Sequence, residues 1–222
     1  MLINSKSKEF ISNLLDNPTA ADAIDAGDWD KVFKYYFHTL AGADLSVTDK
    51  AEIYSDLVRF LLESEVNPLE GRTKIPGFTF YKDYDIAEIP EIPSSIKVIS
   101  SNAYCEVSTG DPMILRIPGT VEMIDFYAVN GCNDITEIII EDGVQEIKAH
   151  AFIDCNNLKY IELPKSLQRI GYIVDLANRQ YKNITVKFMG SADDFLKIVD
   201  YPNCTYFNRF NFIDENNEPI TF

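Results

Sequence analysis

The sequence predicts an α+β chain: a short β-rich solenoid with an N-terminal helical cap and a C-terminal β-hairpin. Three observations predict it. Helix-period apolar stripes fill the first 70 residues, a unit of about 23 residues recurs through the middle, and two short β-like runs flank a polar turn at the end. The expected boundaries are a helical unit over 1–72, a solenoid over 73–200 and a β cap over 201–222.

The helices come first. Phe10, Ile11, Leu14 and Leu15 fall on one stripe, and Asn17-Pro18 ends it, because a residue before proline avoids the α region. A second short helix is expected from Thr19, with Asp22 as its capping partner and Gly27 closing it. Asp28 can cap a third helix, whose apolar positions are Trp29, Val32, Phe33, Tyr36, Phe37 and Leu40. Ser46-x-x-Asp49 opens a fourth, with Tyr54, Leu57, Val58, Leu61 and Leu62 on its apolar side. Helical spacing of this kind is what a small core requires.

The repeat is visible by alignment. Ile92-Pro-Ser-Ser-Ile-Lys-Val-Ile99 matches Ile117-Pro-Gly-Thr-Val-Glu-Met-Ile124, then Ile140-Glu-Asp-Gly-Val-Gln-Glu-Ile147, then Leu163-Pro-Lys-Ser-Leu-Gln-Arg-Ile170. The starts are 25, 23 and 23 residues apart, and a further 23 lands on Val186. The second half of the unit repeats as well: Ala128-Val-x-x-Cys132-x-x-Ile135 matches Ala151-Phe-x-x-Cys155-x-x-Leu158. A fixed period of this length is one coil of a solenoid, in which equivalent apolar side chains stack in columns about 4.8 Å apart. About four coils are expected over residues 90–200. Cys132 and Cys155 then occupy one buried column as reduced, unligated thiols.

These residues resemble the BspA-like leucine-rich repeat family, most closely from Ile117 to Gly171. The resemblance covers residues of about 90–200. It implies a solenoid that presents a face to other proteins. The stretch Val186 to Phe195 is similar to the strand, Gly-Ser and short helix that end such arrays. The first copy departs by an insertion around Ser108-Thr-Gly-Asp-Pro112. Short arrays of this type occur in bacteria and in their phages.

Composition narrows the function. The 222 residues carry 20 basic and 35 acidic groups, for a net charge of −15. Residues 1–70 hold −7 and residues 189–222 hold −4 of it, so the acidity is concentrated at the two ends. This balance argues against direct nucleic-acid binding, which needs a basic footprint, and against docking on an anionic membrane. The N-terminus reads as neither a secretory signal nor a membrane span, which predicts a cytoplasmic protein, or one of the host cytoplasm if phage-encoded. Four cysteines without a C-x-x-C pair and two histidines, His38 and His150, give no metal site. No phosphate loop, no G-x-S-x-G and no H-E-x-x-H is present, so no catalytic residue, no cofactor and no enzymatic activity are expected.

Binding is the better-supported function. Residues between two inward positions of a strand face outward. One such column is Arg116, Ile139, Glu162 and Thr185, another is Glu137, Tyr160 and Asn183, and a third is Met123, Glu146 and Arg169. Met123, Ile139 and Tyr160, ringed by Glu146, Glu162 and Arg169, are the expected protein-binding residues, read as apolar exceptions on one charged sheet. The leading reading is a non-enzymatic protein-interaction module. One alternative is an acidic inhibitor or nucleic-acid mimic, phage-encoded and aimed at a host nuclease or polymerase, using Asp22, Asp25, Asp28 and Asp30. Another is a structural component of a larger assembly.

Overall fold

The computed structural model describes residues 5–25, 39–40, 42–63, 73–75, 77, 79–81, 91–171, 184–199 and 210–221. Strand pairing defines the architecture, because every ladder between neighbouring strands is parallel. Sheet A stacks β1 (Lys74–Ile75), β3 (Val98–Ile99), β6 (Met123–Ile124), β9 (Glu146–Ile147) and β11 (Arg169–Ile170). Sheet B stacks β2 (Phe80–Tyr81), β4 (Tyr104–Cys105) and β7 (Val129–Asn130). Sheet C stacks β5 (Met113–Ile117), β8 (Ile135–Ile140), β10 (Tyr160–Leu163), β12 (Ile184–Phe188) and β13 (Phe210–Ile213). Through β3, β4 and β5, and again through β6, β7 and β8, the chain visits A, then B, then C, which makes a three-sided β-solenoid.

Through the middle coils the inward columns are those the repeat predicts. Ile75, Ile99, Ile124, Ile147 and Ile170 line sheet A, and Val199 continues the column through a parallel bridge to Ile170. Leu115, Ile138, Ile161, Val186 and Phe212 line sheet C, next to Ile117 and Ile140. All of these are buried in one continuous core with Phe80, Tyr104, Val129 and Phe152 of the third side. Phe80 stacks on Tyr104 at 4.8 Å between ring centroids, the spacing of one rung.

Backbone conformation repeats along with the side chains. Asn102, Tyr127 and His150 have φ of 56°, 56° and 58°, and each immediately precedes the inward alanine of its coil. Glu106, Gly131 and Asp154 form a second left-handed column at 56°, 68° and 57°. These three coils therefore turn their corners in the same way, and non-glycine residues accept the αL conformation where the rungs on either side hold it.

Within the expected bounds of 73–200, the structure adds a coil to the four expected over 90–200. A coil precedes residue 90: Lys74-Ile75 pairs with Val98-Ile99, and Phe80-Tyr81 pairs with Tyr104-Cys105. It also changes the last coil. Val186 pairs with Ile161 and Phe188 with Leu163, so the final spacing is 25 residues and not 23. Lys187, not Thr185, therefore sits beside Glu162, and Thr185 sits beside Tyr160. Ile184, Val186 and Phe188 are all buried, so a two-residue slip keeps the same alternation of faces.

The array ends as the resemblance implies. After Gly190, Ser191 caps α4 (Ala192–Ile198), its hydroxyl accepting from the Asp194 amide at 3.2 Å. Phe195 packs on Phe188 and Phe212 with centroids 5.2 and 5.4 Å away, closing that end of the core. The C-terminal strand β13 joins sheet C parallel to β12. The chain then reverses at Asp214, whose carboxylate accepts from the Asn216 and Glu218 amides, both at 2.9 Å. The return arm is an antiparallel bridge at Pro219 and a bond from the Ile220 amide to the Phe212 carbonyl.

At the other end lie α1 (Ser5–Leu15), α2 (Pro18–Asp25) and α3 (Val47–Glu63). The α2 helix starts one residue earlier than expected: Asn17 caps it through the Ala20 amide and Pro18 takes the first helical position, where its missing N–H is not needed. Ser46 opens α3 as expected: its Oγ accepts from the Asp49 amide at 3.1 Å and donates to Asp49 Oδ2 at 2.8 Å. Ile11, Ala20, Ala23, Ile53 and Leu57 are buried, α1 lies against both other helices, and α3 lies against β2. Ala51 and Cys105 share a small buried cluster, a direct contact of α3 with sheet B. The expected helix of Trp29, Val32, Phe33, Tyr36 and Phe37 lies outside the described residues.

Candidate protein-binding face

The outer side of sheet C is built by the pleat, which turns alternate residues of every strand away from the core. Two columns cross it. One is Ile114, Glu137, Tyr160, Thr185 and Asn211; the other is Arg116, Ile139, Glu162, Lys187 and Ile213. Ile114 is 45% exposed, and Ile139 and Tyr160 are half-buried between charged neighbours. The Tyr160 hydroxyl donates to Glu162 Oε2 at 2.9 Å, which fixes the ring along its own strand. Desolvation, the bond to Glu162 and the charges of Glu162 and Glu137 push the phenol up to about 12, so it remains a neutral donor at neutral pH.

Only half of the expected binding residues share this face. Met123, Glu146 and Arg169 stand in one outward column, but on sheet A. A coil of three sides separates them from Ile139, Tyr160 and Glu162, so the single apolar patch expected from the sequence is two. On sheet A, Glu146 receives Lys148 at 2.6 Å and Arg169 at 3.5 Å, and Lys97 lies 3.7 Å from Glu122. Such partly exposed pairs contribute little to stability. Two further exposed apolar residues escape the repeat pattern: Ile114, whose strand emerges from the insertion, and Met189, which follows the last strand of the repeat.

The insertion is held by one carboxylate. Asp134 Oδ2 accepts from the Ser108 hydroxyl, from the Thr109 amide at 3.0 Å and from the Gly110 amide at 2.9 Å. These bonds, led by that of Ser108, hold the Asp134 carboxyl below its usual range. A further exposed spot is the corner of Phe126 and Tyr127, at 45% and 39%, where Tyr127 stacks on His150 with centroids 5.8 Å apart.

The two cysteines of the repeat are buried thiols. Cys132 and Cys155 are buried outside disulfides and each approaches backbone carbonyls, of Asn130 at 3.5 Å and Ile153 at 3.6 Å. Burial raises both thiols, Cys155 to about 12. Among the described residues no group of three His, Cys, Asp or Glu is disposed to hold a metal ion, and no helix is long and apolar enough to cross a membrane. Of the acidic alternative, Asp22 is exposed on α2, whereas Asp28, Asp30 and the Asp25 side chain lie outside the described residues, as does His38.

The repeat, its three-sided coil and its columns decide the classification, together with a match of residues 73–189 to the model for the BspA type leucine-rich repeat region, in six copies. The chain belongs to the BspA type leucine-rich repeat family. Leucine-rich repeats generally mediate protein–protein interaction, and a solenoid of this type is typically a non-enzymatic scaffold. The match begins at residue 73, in agreement with the early coil of β1 and β2. No curated protein and no solved structure matches the chain.

Proposed function

We propose that this BspA-type array is a non-enzymatic interaction module that binds a protein partner through the outer face of sheet C. The observation that carries the reading is the pair of outward columns in which Ile114, Ile139 and Tyr160 lie among Arg116, Glu137 and Glu162. Apolar anchors inside a polar rim, spaced by rigid rungs, are what a binding hot spot requires. Met123, Glu146 and Arg169 of sheet A form a second and smaller candidate. The buried thiols of Cys105, Cys132 and Cys155 support a reducing compartment, the cytoplasm.

The test is partner capture in the native cell by a photo-crosslinking residue at Thr185, followed by affinity measurement with the purified partner. Ile139→Ala and Tyr160→Ala should each weaken the complex by about 1–2 kcal/mol, with Met123→Ala near neutral. The alternative, an acidic inhibitor or nucleic-acid mimic, is favoured by the net charge of −15. It predicts the reverse: tolerance of both apolar changes and a steep loss of affinity with salt. That outcome would overturn the sheet C reading.

A further inference from the structure

Strands β5, β8, β10 and β12 leave sheet C at equivalent residues, which stack along one corner of the solenoid: Pro118, Glu141, Pro164 and Met189. The Glu141 amide donates to the Ile117 carbonyl and the Met189 amide to the Leu163 carbonyl, both at 2.9 Å, so the corner is tied to the rungs. Two depressions lie side by side along it and share Glu141. The larger, about 450 Å³, has Ile139 and Met189 in its lining; the smaller has Ile114, with Arg116 and Glu91 beside it. Ile114 and Met189, 45% and 38% exposed, are two of the five most exposed large apolar side chains among the described residues. They mark the two ends of one trough.

The polar lining of the larger depression is mostly acidic. Glu141, Asp142, Glu162 and Glu215 face a single cation, Lys165. Three of these carboxylates accept hydrogen bonds within the fold, from the Gly119 amide at 3.3 Å, the Ser166 amide at 3.0 Å and the Tyr160 hydroxyl at 2.9 Å. Those donors are neutral, and a carboxylate has further acceptor sites, so the negative charge is left without a counter-charge from these partners. Lys187 is next to Glu162 in register, but its ammonium donates to Asn217 Oδ1 at 3.0 Å.

We propose that this trough takes an extended basic segment of a partner protein, in which aliphatic and cationic side chains alternate. The inference rests on sheet C being the binding side. Apolar and acidic lining together select the chemistry: the apolar side chains remove aliphatic groups from water, and the carboxylates of the larger depression favour arginine or lysine there. A second copy of this chain, at −15, carries the wrong charge. The dimensions agree with an extended segment. Three rung steps of about 4.8 Å separate β5 from β12, about 14 Å, which four or five extended residues at about 3.3 Å each span.

The test uses a fluorescent pentapeptide of alternating leucine and arginine, read by anisotropy against the full chain at low and at physiological salt. A leucine–glutamate peptide and a serine–arginine peptide serve as controls. The leucine–arginine peptide should bind at least about tenfold more tightly than either control, and weaken as salt rises. The triple variant Glu141→Gln, Glu162→Gln, Glu215→Gln should lose about tenfold, and Met189→Ser should weaken binding at both salt concentrations. These residues are at the surface, and unchanged thermal unfolding confirms that each variant folds. Equal binding of the glutamate peptide, or an unaffected triple variant, would overturn the inference. So would a captured partner that is lost on Tyr160→Ala, outside the trough, but neither competes with the peptide nor responds to the triple variant; the sheet C reading would then stand without it.

Discussion

Ile147→Ala tests whether the stacked columns hold the molecule together. Ile147 is fully buried, in the middle of the sheet A column, with Ile124 on one side and Ile170 on the other. Truncation removes three carbons. Transfer of those groups is worth about 2.4 kcal/mol at about 0.8 kcal/mol each. The void, of roughly 70 Å³, adds about 1.7 kcal/mol at about 24 cal/mol per Å³, if nothing collapses into it. Collapse is opposed by the backbone, because the Lys148 and Gly171 amides tie these rungs to the Ile124 and Ile147 carbonyls at 2.9 and 2.8 Å. The expected loss is therefore about 4 kcal/mol, near the top of the range for such changes. Ile147→Val removes one carbon and should cost about 1 kcal/mol. Glu146→Ala, the outward neighbour, should cost less than about 1 kcal/mol, because its ion pairs are partly exposed. Urea unfolding, with midpoints compared at constant m, measures all three. A cost for Ile147→Ala below about 1.5 kcal/mol, or equal to that of Glu146→Ala, would refute the rigid-column reasoning.

Gly143→Ala should destabilise by about 3 kcal/mol, since φ is +126° and the new Cβ would meet the Gly119 carbonyl oxygen at 2.0 Å; thermal unfolding reads it. Cys132 and Cys155 should resist a thiol reagent in the native state and react on unfolding. Because the Cys155 thiol is raised from 9.0 to about 12, its contribution to stability is complete below pH 9 and is lost as pH rises toward 12, which unfolding midpoints across that window check. Asp134→Ala should cost about 1–2 kcal/mol and expose the 108–112 insertion to proteolysis. The Asp134 carboxyl is lowered on folding, so its contribution is present above the ordinary carboxylate pKa and disappears as pH falls through the lowered value; the wild type should converge on the variant in acid.

The repeat itself was legible from the residues. Apolar side chains at fixed offsets have to stack if each coil is to bury its face on the next, so spacing alone assigns Ile117, Ile140 and Leu163 to one column. The same spacing placed Ile139 between Arg116 and Glu162, and Glu146 between Met123 and Arg169. Capping followed from local chemistry, because Ser46 and Asp49 need only one turn of helix to meet.

Tertiary structure alone decided the rest. Alternation of period two is unchanged by a slip of two residues, so the sequence could not tell whether Thr185 or Lys187 stands beside Glu162; strand pairing chose Lys187. Periodicity says which residues point outward but not in which direction a coil faces, and the corners of a three-sided turn put Met123 on a different side from Tyr160. The trough is of the same kind. Ile114, Glu141 and Met189 are separated by tens of residues and carry no shared motif, and only the rung-by-rung stacking of one corner brings them into a single surface.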